Sequence, residues 1–191
     1  LHGALPISKG DGFSFHNGVS SEVIPAVFVP VIEASVRESL TGGVLGGYPV
    51  VDVGVALVDG TYDESLSSEA AFEHAAATAC RKGLEQAAPI LLEPVMRIEA
   101  VVPEANTGDV IGDLSARRGE IGGMERLPGG AQAIRGDVPL SEMSGYATDL
   151  RSATQGRGAF TMEFGYYAPV PQELANRILG GPSWGLGEQP G

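Results

Sequence analysis

Apolar positions alternate along Val51, Val53, Val55 and Leu57, with Val50, Ala56 and Val58 falling between them. A period of two with apolar residues on both sets of positions predicts a strand covered on both faces. Upstream, Ile32, Val36 and Leu40 recur at i, i+4 and i+8 and lie on one face of a helix, which Gly42 stops. A short strand starts at Phe13 to Phe15. After the Val51–Leu57 strand comes the polar loop Asp59 to Ser67, and Ser67 or Ser68 caps an alanine-rich helix reaching about Leu84. The first half therefore reads strand, helix, strand, loop, helix.

The segment Pro89-Ile-Leu-Leu-Glu-Pro94 separates the halves, because proline disfavours helix at the residue before it. Beyond it Met96, Ile98, Ala100 and Val102 alternate with Arg97, Glu99 and Val101 in a strand that Pro103 ends. A helix follows, capped by Asn106 or Thr107, with Asp109 near its positive end, Val110, Ile111 and Leu114 as its buried stripe, and Gly119 as its left-handed stop. Gly122 to Met124 and Gln132 to Val138 form a strand pair around the Leu127-Pro-Gly-Gly130 turn. Tyr146, Ala147 and Leu150 mark a second helical face ending at Gly156, and Phe160, Met162, Phe164 and Tyr166 alternate in a last strand. The order β-α-β-β-α-β is the ferredoxin-like split βαβ arrangement.

At 191 residues, 43% apolar and 19% charged, the chain has the material for two small cores and lacks the signature of disorder. No internal repeat is present. No apolar run reaches the roughly 18 residues of a membrane span, and no basic segment leads an apolar core at the N-terminus, so a cytoplasmic protein is expected. Cys80, the single cysteine, sits in the alanine-rich helix and reads as a buried small hydrophobe. The formal charge of −12 disfavours sequence-independent binding to naked nucleic acid, DNA included. It is unevenly shared: residues 1–93 hold four basic and twelve acidic residues, a balance of −8, and residues 94–191 hold eight and twelve, a balance of −4. All but one of the second half's arginines lie between Arg97 and Arg157.

Catalytic chemistry is hard to find. The only lysines, Lys9 and Lys82, sit outside any glycine-rich phosphate loop, and His2, His16 and His74 are unaccompanied at metal-ligand spacing. Asp109 and Asp113 read as a capping acid and a solvated acid. No enzyme activity, metal or cofactor is expected of this chain itself. The notable basic clusters are Arg117-Arg118 after the first helix of the second half and Arg151 with Arg157 around the end of its second helix. Arginine at a helix C-terminus suits the dipole, and equally suits phosphate contact.

Several segments in series resemble elongation factor G: Gly47-Tyr-Pro-Val-Val-Asp-Val53, Leu91-Leu-Glu-Pro94, Gly108-Asp-Val-Ile-Gly-Asp-Leu114 with Arg117-Arg118-Gly119, and Gly145-Tyr-Ala-Thr-Asp-Leu-Arg-Ser152 with Thr154-Gln-Gly-Arg-Gly158. The resemblance runs from about Gly12 to Gly180 and covers that family's fourth and fifth domains. It implies an α+β chain of two modules. Residues 1–93 would form a module like domain 2 of ribosomal protein S5, lacking its N-terminal strand, and residues 94–180 a ferredoxin-like sandwich; residues 181–191, which match nothing in the family, read as a flexible tail. It implies a ribosome partner, comprising rRNA, ribosomal proteins and tRNA–mRNA in the decoding site. It also implies N-terminal domains of a parent protein that carry the GTP and Mg, with this chain as a fragment of that parent. Carried over by position, the tip loop is Asp59, Gly60, Thr61, Tyr62, Asp63, Glu64, Ser65, Ser67 and Ser68, and the rRNA-contact candidates are Arg117, Arg118, Arg151 and Arg157. The function so implied is GTP-dependent translocation of tRNA and mRNA. Ribosome recycling or tetracycline-type ribosome protection is the alternative task, and a non-ribosomal ferredoxin-like module binding a small molecule is the alternative class. One departure stands out, since Asp63 occupies a tip position where the family usually has histidine.

Overall fold

The computed structural model describes residues 4–6 and 12–180; the expected tail, with Trp184, and His2 lie outside them. The chain divides into two compact units, Leu91–Ala175 and the remainder on either side of it.

In the first unit β2 (Phe13–Asn17) runs parallel to β3 (Val53–Leu57), with Phe13 opposite Val53 and Asn17 opposite Leu57. A parallel pair needs a crossover, and α1 (Val29–Gly42) supplies it. Residues 4–6, where the sequence pattern shows no strand, form β1 (Ala4–Pro6), antiparallel to β3. Three residues are too few for a period to be visible, and their pairing is a backbone matter. The sheet order is β1-β3-β2. After β3 the chain passes through the polar loop into α2 (Glu69–Gln86), whose N-cap Ser68 accepts a hydrogen bond from the Ala71 amide.

Ile32, Val36 and Leu40 of α1, Phe72, Ala76, Cys80 and Leu84 of α2, and Val53, Val55 and Leu57 of β3 make one core. Burial pushes the Cys80 thiol up, away from the reactive thiolate. The Ser35 hydroxyl donates to the Glu73 carbonyl at 2.8 Å and ties α1 to α2. Val51 and Val58, counted in the expected strand, lie outside it and are 50% and 46% exposed, while on the face away from the core residues Gly54 is buried and Ala56 half-buried. The stop of α1 also moves by one residue: the helix includes Gly42, and Gly43 takes the positive φ of 43°, where a Cβ would lie 1.9 Å from the Tyr48 carbonyl oxygen.

The second unit is a four-stranded antiparallel sheet of order β5-β6-β4-β7. The strands are β4 (Leu92–Pro103), β5 (Glu120–Leu127), β6 (Ala131–Pro139) and β7 (Ala159–Pro169), with α3 (Thr107–Ala116) and α4 (Tyr146–Ala153) between them in βαββαβ order. A final helix, α5 (Gln172–Ile178), follows. Both α3 and α4 cover the same sheet face, burying Ile98, Ala100, Val102, Ile134 and Val138 against Val110, Leu114, Tyr146 and Leu150. This is the ferredoxin-like arrangement expected from the pattern.

Three local expectations change. Asn106 is the N-cap of α3 but makes no side-chain cap bond; its amide instead donates to the Ala153 carbonyl at 2.9 Å, closing the last turn of α4. Ala147 is exposed, and Thr154 joins Tyr146 and Leu150 on the buried face of α4. Along β7 only Phe160 reaches the core: Met162 and Phe164 stay 37% and 53% exposed, and a register shift between Val95 and Met96 turns Tyr166 to the other face of the sheet, where its hydroxyl donates to Asp137. The eight residues of α4 span about 12 Å, whereas the eleven of β7 span about 36 Å, so the helix cannot roof the whole strand.

Candidate functional site

The loop of residues 58–68 leaves the C-terminal end of β3 and holds three carboxylates, Asp59, Asp63 and Glu64, without a lysine, arginine or histidine. Its base is anchored by aromatic contacts: the Tyr62 ring lies 5.8 Å from Phe28, which lies 4.6 Å from Phe72 of α2. Asp59 accepts a hydrogen bond from the Gly60 amide. At the tip Asp63 organises a single turn. Its Oδ1 accepts from the Ser65 amide at 2.8 Å, the Ser65 hydroxyl at 2.6 Å and the Leu66 amide at 3.2 Å, while its own amide donates to the Ser67 hydroxyl at 3.0 Å. The hydroxyl and then the amide of Ser65 hold its carboxyl below the ordinary range. Leu66, which the sequence reading left out of the site, is 79% exposed on this turn.

Asp63 is therefore the residue that builds the tip. Histidine at this position offers a ring nitrogen where a two-lone-pair carboxylate oxygen now gathers three donors. Asp63→Ala is expected to release the turn without unfolding the unit, read as faster amide exchange at Ser65 and Leu66 with unchanged protection in α2. Asp63→Asn should keep much of the order through its side-chain oxygen. On acidification the folded carboxyl, depressed below its unfolded value, keeps its stabilising effect above the ordinary aspartate range near 3.8 and loses it as pH falls through the folded value. The same amides should then exchange faster.

The four arginine candidates separate into two kinds. Arg117 is the C-cap of α3. Its guanidinium pairs with Asp113 at 3.1 Å and with Asp149, donates to the carbonyls of Glu142 and Ser144, and lies 5.3 Å over the Tyr146 ring. Arg118 forms a fork with both oxygens of Glu93, at 2.8 and 2.9 Å, and reaches Glu142 and Ser141. Glu93 is 8% exposed, and the Arg118 partnership holds its carboxyl below the usual glutamate range. Reciprocally, Glu93 raises the Arg118 guanidinium. These two arginines are committed to the protein, and they position the end of α3 against the 140–144 turn and α4. Arg151 is exposed on α4 and Arg157 lies just beyond it, exposed, with its Nε 3.4 Å from the Thr154 carbonyl.

Arg118 also corrects the expected helix stop. The Gly119 amide donates to Leu114 and the Arg118 amide to Ser115, a Schellman closure in which Arg118 takes the left-handed position at φ 61°. Gly119 is required for another reason, since a Cβ there would lie 2.6 Å from the Leu114 carbonyl oxygen. A non-glycine residue at positive φ carries strain, and the fork to Glu93 offsets it. The signal for this was Glu93 in Leu-Leu-Glu-Pro, a carboxylate in an otherwise apolar strand start.

Among the described residues no three His, Cys, Asp or Glu side chains gather to hold a metal, and no helix is long and apolar enough to cross a membrane.

Residues 4–88 match the family model for elongation factor G domain IV, and residues 90–178 match that for the elongation factor G C-terminus. A solved protein from Thermus thermophilus superposes with a TM-score of 0.81 and 39% sequence identity over 92% of this chain. The chain spans 26% of that protein's length. Two modules in this order place the chain in the translation elongation factor family. The chain belongs to the elongation factor G family, of which it carries domain IV and the C-terminal domain.

Proposed function

We propose that this chain is the ribosome-contacting arm of an elongation factor G-type protein in the cytoplasm, promoting movement of tRNA and mRNA with energy from GTP and Mg bound elsewhere in a longer polypeptide. The observation that carries this reading is the uninterrupted series of the two family domains over residues 4–178. Its work is mechanical: a packed module presenting a pre-formed tip biases a two-state movement by occupying space, which needs no nucleophile, metal or acid–base pair. The tip is residues 59–68 around the Asp63 turn, and Arg151 and Arg157 are the cations available for rRNA phosphate.

Co-sedimentation of the parent protein with ribosomes tests it, using a non-hydrolysable GTP analogue at physiological salt. Recovery in the ribosomal pellet is expected, and a parent left in the supernatant sinks the reading. A second task is favoured by one observation, the carboxylate-only tip, which meets a phosphate-rich decoding site unfavourably. Mapping the mRNA position on the ribosome before and after adding the parent separates the two. A three-nucleotide advance supports translocation, and subunit splitting or tetracycline release without that advance supports recycling or protection.

A further inference from the structure

The sequence pattern gives residues 18–28 no part in the site, yet the fold brings them against the tip loop. Because β2 and β3 are parallel, with Asn17 opposite Leu57, both strands end at the same end of the sheet and the segments that follow them start side by side. The Gly18 amide donates to the Leu57 carbonyl at 2.8 Å, and the amides of Val23 and Ile24 both donate to the Ser20 carbonyl at 3.1 Å, closing a turn. That turn delivers Ile24, 3% exposed, into the core of the first unit. Further along, Phe28 touches the rings of both Tyr62 and Phe72.

The stretch 58–62 depends on such neighbours. Among the described residues it makes no backbone–backbone hydrogen bond to the rest of the fold, and the Gly60 amide is spent locally on the Asp59 carboxylate. Its course is therefore set by side-chain packing at two points, and both partners come from residues 24–28. At Gly60 the approach is close: a Cβ there would lie 2.4 Å from Ile24 Cδ1 and 3.0 Å from Ile24 Cγ1. Gly60 is not among the glycines at positive φ, so the contact with Ile24, not the backbone conformation, is what opposes a side chain. An added methyl must move either the loop or Ile24, and Ile24 is packed in a core that resists. Tyr62 against Phe28 is the second point.

We infer that Ile24 is a positioning residue for the tip: seated in the core, it fixes where Gly60 passes and so where the Asp63 turn is held. The inference rests on the reading of residues 59–68 as the tip, and adds the residue through which the core sets its place. A tip that works by occupying space must not give way when it meets RNA. The contact therefore governs the rate of the ribosomal step and leaves ribosome binding, which involves the rest of the protein, unchanged.

The test is a size swap. In the 191-residue chain, Gly60→Ala is expected to weaken the proton cross-relaxation between the Tyr62 and Phe28 rings. In the parent it should slow the three-nucleotide mRNA advance about ten- to a hundredfold, the order expected when positioned groups are displaced by ~1 Å. The concentration that half-saturates ribosomes should stay the same. The double variant Gly60→Ala/Ile24→Val lacks Cδ1, the atom the new methyl meets, and should restore both the ring contact and the rate. Gly83→Ala, on α2 where a Cβ meets nothing within 4 Å, should leave both readouts as in the wild type. Gly60→Ala without effect, a loss that Ile24→Val does not repair, or a normal rate despite a lost ring contact would each overturn the proposal. A wild-type parent that produces no advance at all sinks the translocation reading instead, and the ring contact in the 191-residue chain then decides alone whether Ile24 places the loop.

Discussion

Arg118→Ala is expected to lower the unfolding free energy of the second unit by about 2–4 kcal/mol, leaving Glu93 buried without its counter-charge. The Arg118 side chain is 31% exposed and that of Glu93 10%, so the effect belongs toward the lower part of what breaking a fully buried pair costs. Arg118→Gly should be the milder change by about 1 kcal/mol, the reverse of the usual order of alanine and glycine. Glycine relieves the left-handed strain at φ 61°, which alanine retains. Denaturant unfolding of the three proteins measures both differences, and alanine milder than glycine would remove the strained-cap account. The difference between wild type and Arg118→Ala also depends on pH. The folded carboxyl of Glu93 is depressed below its unfolded value, so its contribution is complete above the ordinary glutamate value of 4.5 and is lost as pH falls through the folded value. The two unfolding curves should therefore converge on acidification below about 4.5.

Tyr146 gives the other large effect, and in two directions. It is 1% exposed, packs edge-on against Phe160 with ring centroids 4.9 Å apart, and lies beneath the Arg117 guanidinium. Tyr146→Ala should cost about 3–5 kcal/mol, the range for emptying a buried aromatic site. The hydroxyl behaves differently. It is buried without a hydrogen-bond partner, and burial, with the Asp113 charge second, pushes its pKa up to about 12. Removing an unsatisfied buried hydroxyl returns its desolvation cost, so Tyr146→Phe is expected to be neutral or to stabilise by up to about 1 kcal/mol. Thermal and denaturant unfolding of both variants check this, and a Tyr146→Phe protein weaker by more than about 1 kcal/mol would show that the hydroxyl has a partner.

The fold was legible wherever a period could be counted. Ile32, Val36 and Leu40, the alternation from Met96 to Val102, and Tyr146 with Leu150 each repeat often enough to reveal element and face together. The edges of elements were less legible. Gly42 against Gly43, and Gly119 against Arg118, differ by one residue because a helix stop needs one left-handed position, and a flanking contact decides which residue takes it. β1 was invisible, since three residues pairing through their backbone leave no side-chain pattern.

The site was partly written in the chain. Serial motifs nominated the tip loop and the arginines as candidates, but residue type alone could not say whether a cation faces a partner or its own protein. Arg117 and Arg118 turn inward because Glu93, Glu142 and Asp149, distant in sequence, converge around them together with the neighbouring Asp113, while among the described residues Arg151 meets no such group. Likewise Asp63 reads from the sequence as an acid in place of a histidine, and only the fold shows it gathering Ser65 and Leu66 into a turn. By itself the sequence determined the two modules, the order of their longer elements, most of their buried positions and their family, because these depend on local periodicity and serial motifs. Tertiary structure alone decided the partners of each charge and the exposure of β7, because those depend on register and on which distant residues meet.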